Sequence, residues 1–125
     1  MTVRPVVPLI MLKGQISEYT DTLSVAVAAD ELAIPLTHPV VVKTTGADAE
    51  ALTLANGTPG QILQIVLDTD GGGDGTLTPT TCSGFATIVF ADAGDQVTLI
   101  YIDDTLGWRL FGGAIGVAAP PAITV

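Results

Sequence analysis

Positive charge is what this sequence lacks most. Among 125 residues, Lys and Arg together number 4 against 13 Asp and Glu, for a formal net charge of −9. Such a chain is not a general nucleic-acid binder, because neutralising phosphates takes clustered Lys and Arg. Cysteine occurs once, which excludes an intrachain disulfide and a cysteine-based metal cluster. Histidine also occurs once, and aromatic residues make up 5%. Long apolar runs are missing too. The stretch from Val6 to Leu12 is interrupted by Pro8 and ends at Lys13, whereas a spanning helix needs about 20 apolar residues. Pro5 and Pro8 also break the core that a secretory signal would need, and no small-x-small cleavage site follows closely. The sequon Asn56-Gly57-Thr58 therefore carries little weight. The expectation is a chain with no membrane partner that stays where it is made or leaves inside a larger particle.

What is present is apolar surface. The hydrophobic fraction is 48%, too high for intrinsic disorder, and the length suits one domain or one small domain plus an arm. Charged residues make up 14%, where roughly 25% is usual for a soluble domain. Few charges are left to wet the outside. That points to a surface meeting another protein chain, hence an oligomer or assembly component. The alternative is a compact Thr-rich monomer. The charge is also uneven. Residues 44–108 hold no Lys or Arg and nine acids, most of them near a Gly in turn-like clusters. These read as solvated loop tips that keep copies apart in solution.

Helical signals are poor. Only Ala47 to Leu52 and Ala28 to Leu32 are candidates, and the first could equally lead into a strand over Ala51–Leu54. β-Branched residues and alternation predict strands over Thr22–Ala28, Pro39–Thr44, Gln61–Asp68, Thr76–Thr78, Phe85–Phe90, Gln96–Ile102 and Trp108–Phe111. Gly- and Asp-rich turns separate the later ones at a spacing of about 10–12 residues, as in a meandering all-β sandwich or barrel. The fold class expected is all-β: a small antiparallel sandwich or barrel with short turns and an extended Pro-containing N-terminal arm. Residues 1–46 would form the arm and first strands, 47–119 the β domain, and 120–125 an extended tail. Gly73-Asp-Gly-Thr-Leu-Thr78 and Gly94-Asp-Gln-Val-Thr-Leu99 share a rhythm that reads as common hairpin grammar.

Few residues suggest chemistry. Asp68-Thr-Asp-Gly-Gly-Gly-Asp-Gly75 offers three carboxylates around a glycine loop, the ligand type that Ca²⁺ takes. Its spacing fails the EF-hand, whose twelfth position here is Pro79, and a hairpin loop needing left-handed backbone explains it as well. No Gly-Lys-Ser/Thr follows, so it is not a phosphate loop. His38 and Cys82 could formally pair, but no basic residue near Cys82 in sequence lowers its pKa. Asp103-Asp104 sits at a strand end, where adjacent side chains diverge. Trp108, Tyr101 and Phe111 could form a sugar platform, although aromatics more often fill a small core. No catalytic residue, metal ligand or cofactor is assigned, and the chain reads as non-enzymatic.

One resemblance spans roughly residues 50–116. The run Leu52-Thr-Leu-Ala-Asn-Gly57, then Ile65 to Pro79, Gly84 to Asp95, Val97-Thr-Leu-Ile-Tyr101 and Gly107-Trp108 resembles a module of tailed-bacteriophage virion proteins. Small head-decoration (cement) proteins and related tail-fibre β modules share it. The resemblance implies a non-enzymatic, all-β, often trimeric structural part on the outer capsid surface, made in the host cytoplasm. Its partners would be the major capsid protein and its own copies. On that reading the arm residues Arg4, Pro5, Val6, Val7, Pro8, Leu9, Ile10 and Lys13 would contact capsid subunits. A tail-fibre or receptor-binding module is the alternative.

Overall fold

A computed structural model describes residues 23–112 and the backbone of a short strand at 122–124. Nine strands are described: β1 (Ser24–Val27), β2 (Val40–Thr44), β3 (Glu50–Leu54), β4 (Ile62–Thr69), β5 (Gly75–Pro79), β6 (Thr87–Phe90), β7 (Gln96–Tyr101), β8 (Trp108–Leu110) and β9 (Ala122–Thr124). No helix occurs among the described residues. Both helical candidates are turns, and the first leads directly into β3.

The strands form two sheets. One has the order β1-β2-β4-β7-β8 and the other β3-β5-β6-β9. Alternation decides which side chains face inward. In β4, Leu63, Ile65 and Leu67 are buried while Ile62, Gln64 and Val66 face out. In β7, Val97, Leu99 and Tyr101 are buried. The facing sheet contributes Leu52, Leu54, Leu77, Ile88 and Phe90 to the same core. Each fully buried side chain of this kind stabilises the fold by about 1.5–3 kcal/mol before entropy losses.

The expected antiparallel sandwich or barrel needs correction. The class is all-β, but both sheets are mixed and neither closes into a barrel. β1 with β2, β2 with β4, and β3 with β5 are parallel. The chain alternates between sheets as it advances, so that Val41 lies beside Ile65 and Ala51 beside Thr76. A partial first turn is completed by Ala33, which bridges to Thr53. Residues 24–79 thus wind as a short parallel coil. Antiparallel strands follow it: β6 on β5, β7 on β4, β8 on β7 and β9 on β6. Strands on both sides of residue 46 share the five-stranded sheet.

The glycine loop is a corner of this coil and not a hairpin. It joins β4 in one sheet to β5 in the other, directly on the preceding corner. Gly71 N–H donates to Thr45 Oγ1 (3.2 Å) and Gly73 N–H to the Gly46 carbonyl (2.9 Å). A Cβ at Gly71 would lie 2.2 Å from Thr45 O, and one at Gly73 2.0 Å from Asp48 O. Only Gly72, with φ of 113°, requires left-handed backbone. Two of the three glycines therefore serve close stacking of corner on corner. The second rhythmic fragment likewise crosses between sheets, from β6 to β7, so the shared grammar is that of a corner.

Candidate functional site

The residues that might have done chemistry are occupied by the fold. Asp70 Oδ1 accepts the Gly72 N–H at 2.8 Å, and Asp68 Oδ2 accepts the Thr69 hydroxyl. Among the described residues, no group of three or more His, Cys, Asp and Glu side chains converges on a point. The Cys82 thiol donates to the Phe85 carbonyl at 3.2 Å, and burial pushes its pKa up, away from thiolate. His38 lines a shallow cleft of about 230 Å³ with Leu36, Thr37, Pro39, Gln61 and Ile62, a set without Cys82. Its Nδ1 lies 2.8 Å from Thr37 Oγ1.

Asp103 and Asp104 diverge. Asp103 Oδ1 accepts the N–H groups of Thr105 (3.0 Å) and Leu106 (2.7 Å) and shapes the β7–β8 turn. Asp104 accepts the Tyr101 hydroxyl at 2.5 Å. That bond, with burial and the charges of Asp104 and Asp103, pushes the Tyr101 pKa up to about 12. Tyr101 and Trp108 are wholly buried and meet edge to face at 5.2 Å between ring centroids. The Trp108 indole N–H donates to the Ala55 carbonyl at 2.9 Å. The sugar platform is therefore not formed, since of its three aromatics only Phe111 is exposed.

A buried polar group escaped the sequence reading. Lys43 follows Val41 on the inward face of β2, and its ammonium lies 2.7 Å from Glu50 Oε1. It also donates to the carbonyls of Ala28 (2.8 Å) and Glu31 (2.7 Å). Glu50 Oε2 accepts the Gly46 N–H at 2.6 Å. Burial alone would raise the Glu50 pKa. The Lys43 hydrogen bond, backbone N–H groups of Gly46 and Asp30, and the Lys43 charge outweigh it and hold the carboxyl below its ordinary value. The signal was present in Val40-Val-Val-Lys-Thr44, where alternation puts Lys43 on the face of Val41.

What remains open to a partner is surface, and its charge is segregated. The corners 28–31, 45–49, 70–74 and 91–95 lie at one end of the molecule, since β1, β2 and β4 finish there and β3, β5 and β7 start there. Nine of the eleven described acids lie at that end, and only Asp103 and Asp104 lie at the other. Glu50 and Asp95 are buried, while Asp30, Glu31, Asp48, Asp68, Asp70, Asp74 and Asp92 are exposed.

The flat outer sides of the sheets differ. On the four-stranded sheet the outward positions of β3 and β5 are Ala51, Thr53, Thr76 and Thr78. On the five-stranded sheet they are chiefly Val40, Val42, Ile62, Val66 and Ile100, around a hydrogen bond from Gln64 Nε2 to Gln96 Oε1 (3.1 Å). Asp68 and Arg109 stand at its margins. This apolar face is the candidate functional surface. The expected contact residues Arg4, Pro5, Val6, Val7, Pro8, Leu9, Ile10 and Lys13 lie outside the described residues. Neither a protein-family profile, nor a curated protein, nor a solved structure matches the chain.

Proposed function

We propose that this chain is a capsid decoration (cement) protein of a tailed phage, a non-catalytic part that binds the outer surface of the head. There it would stabilise contacts between capsid subunits. The observation that carries the reading is the separation of charge from apolar surface. Exposed acids gather at one end, and a broad sheet face is left apolar. A freely diffusing enzyme needs neither property. A protein that stands on a particle uses the apolar surface for seating and the acids to keep the outer end hydrated. On this reading the chain is a homotrimer, its arm at Arg4–Lys13 lies across capsid subunits, and the major capsid protein is its partner. Burial of Trp108 and Tyr101 takes from the receptor-binding alternative the aromatic platform it would rest on.

Two measurements test the proposal. Gold-labelled antibody should decorate the heads of particles that carry this chain. Label confined to tails would transfer the assignment to the receptor-binding alternative. Deleting residues 1–13 should abolish particle binding while Trp108 fluorescence still reports a folded core. Unchanged binding would remove the arm from the mechanism.

A further inference from the structure

We infer that the outer face of the five-stranded sheet is the contact between copies of this chain; the inference rests on the assembly reading above and assigns the self-contact to one surface. Register places Ala26, Val42, Val66 and Gln96 in one row across the sheet, and Val40, Gln64 and Thr98 in the next. Neither row carries a charge. Ile62 and Ile100 lie opposite each other in a third row, with Arg109 at its edge. Phe111, whose N–H donates to the Thr98 carbonyl, is 50% exposed, and Ile62 is 44% exposed.

Charge argues for a second copy as the occupant. Two chains of formal charge −9 repel wherever acids meet. Their flat sheet faces are where they can approach without that cost, and only the five-stranded one is built of Val and Ile. A basic partner would be drawn to the acidic end instead. Monomeric β proteins guard such faces and edges with Lys or other charges. Lys43, the one described lysine, points inward. The Gln64–Gln96 pair also leaves amide groups at the centre of the face, able to bond to the same pair on a neighbour.

Size sets the strength. Five strands about 4.8 Å apart, each giving about five residues, make a footprint of about 24 by 17 Å, or about 400 Å² in projection. Stable interfaces bury about 800 Å² per partner. The face is therefore the centre of a contact that depends on concentration.

The test is sedimentation velocity of the full chain across a concentration series, without particles. The expected result is a species heavier than the 12.7 kDa monomer that grows with concentration. Ile62→Asp should weaken association at least tenfold, because Ile62 is half-exposed and its replacement leaves the monomer folded. Val66→Lys should do the same from the centre of the face. Thr53→Lys, on the outer side of the other sheet, should behave as wild type. A wild-type chain that stays monomeric at several hundred micromolar overturns the inference. So does association that survives both face variants with Trp108 fluorescence intact, or that is lost in Thr53→Lys alone. Head binding by a strictly monomeric chain would leave the decoration reading standing and remove this one. Self-association without head binding would do the reverse.

Discussion

Lys43 and Glu50 form a buried ion pair, 2.7 Å apart and about 1–2% exposed, that ties the last turn of β2 in one sheet to the first residue of β3 in the other. The pair also holds the 28–31 corner through two carbonyls and the 45–50 corner through Gly46 N–H. Three successive pieces of the coil thus meet at one charge pair. Since each oxygen and proton is engaged, loss of one partner strands the other in the core.

The first prediction follows from that stranding. Lys43→Met should destabilise the chain by about 3–5 kcal/mol, the usual cost of leaving a buried charge alone. The double variant Lys43→Met, Glu50→Leu should recover part of this. Recovery stays incomplete because the Gly46 N–H loses its acceptor. Urea unfolding followed by the single Trp gives both values.

Acid should act through the same carboxylate. The folded Glu50 pKa lies below its unfolded value, so the stabilisation is complete above the unfolded pKa of about 4.3. It is lost as pH falls through the folded pKa. The stability gap between wild type and Glu50→Gln should accordingly narrow from pH 7 towards pH 3. A gap that widens in acid would contradict the assigned direction.

At the alkaline end the sign is reversed. Tyr101 stays protonated in the fold until pH about 12, whereas unfolded tyrosine ionises near pH 10. Its contribution is complete below the unfolded pKa and is lost as pH rises between the two. Tyrosinate absorbance should show one tyrosine titrating late, and Asp104→Asn should bring that titration to lower pH.

The corner glycines make a steric prediction. Gly73→Ala places a methyl 2.0 Å from Asp48 O, a backbone atom that cannot step aside without moving the 45–49 corner. A loss of at least about 2 kcal/mol is expected, at the large end for a single substitution. Gly60→Ala meets nothing within 4 Å and carries only the strain of its φ of 88°, about 1 kcal/mol. Adding Ca²⁺ should leave the melting temperature of the wild type unchanged, since the Asp68–Gly75 corner is held by its own backbone.

Much of the strand content was legible. Alternation in Gln61–Asp68 and Gln96–Ile102 marks β4 and β7 to within a residue at either end, because one face of each is packed and the other is not. The pairing was not legible. A Gly- and Asp-rich connection looks the same whether it reverses the chain within a sheet or carries it across to the other, so Asp70–Gly75 reads as a hairpin. Lys43 was overlooked because its partner, seven residues on, sits beyond a corner that only the coil closes. The strand at 122–124 lies in Pro-rich surroundings with too few residues to show a period. The apolar sheet face was foreshadowed only as a bulk excess, since composition does not say which side of a strand its valines occupy.

A winding chain also raises a question of growth and termination. Every turn of the parallel coil ends in a strand whose free edge is a template for another. β4 and β5 would be such templates, and β7 and β6 occupy their edges in the opposite direction, which halts the winding. Until those later strands are synthesised, a nascent chain exposes two growing edges. A chain cut after β5 would keep them, and its natural next turn would be another molecule.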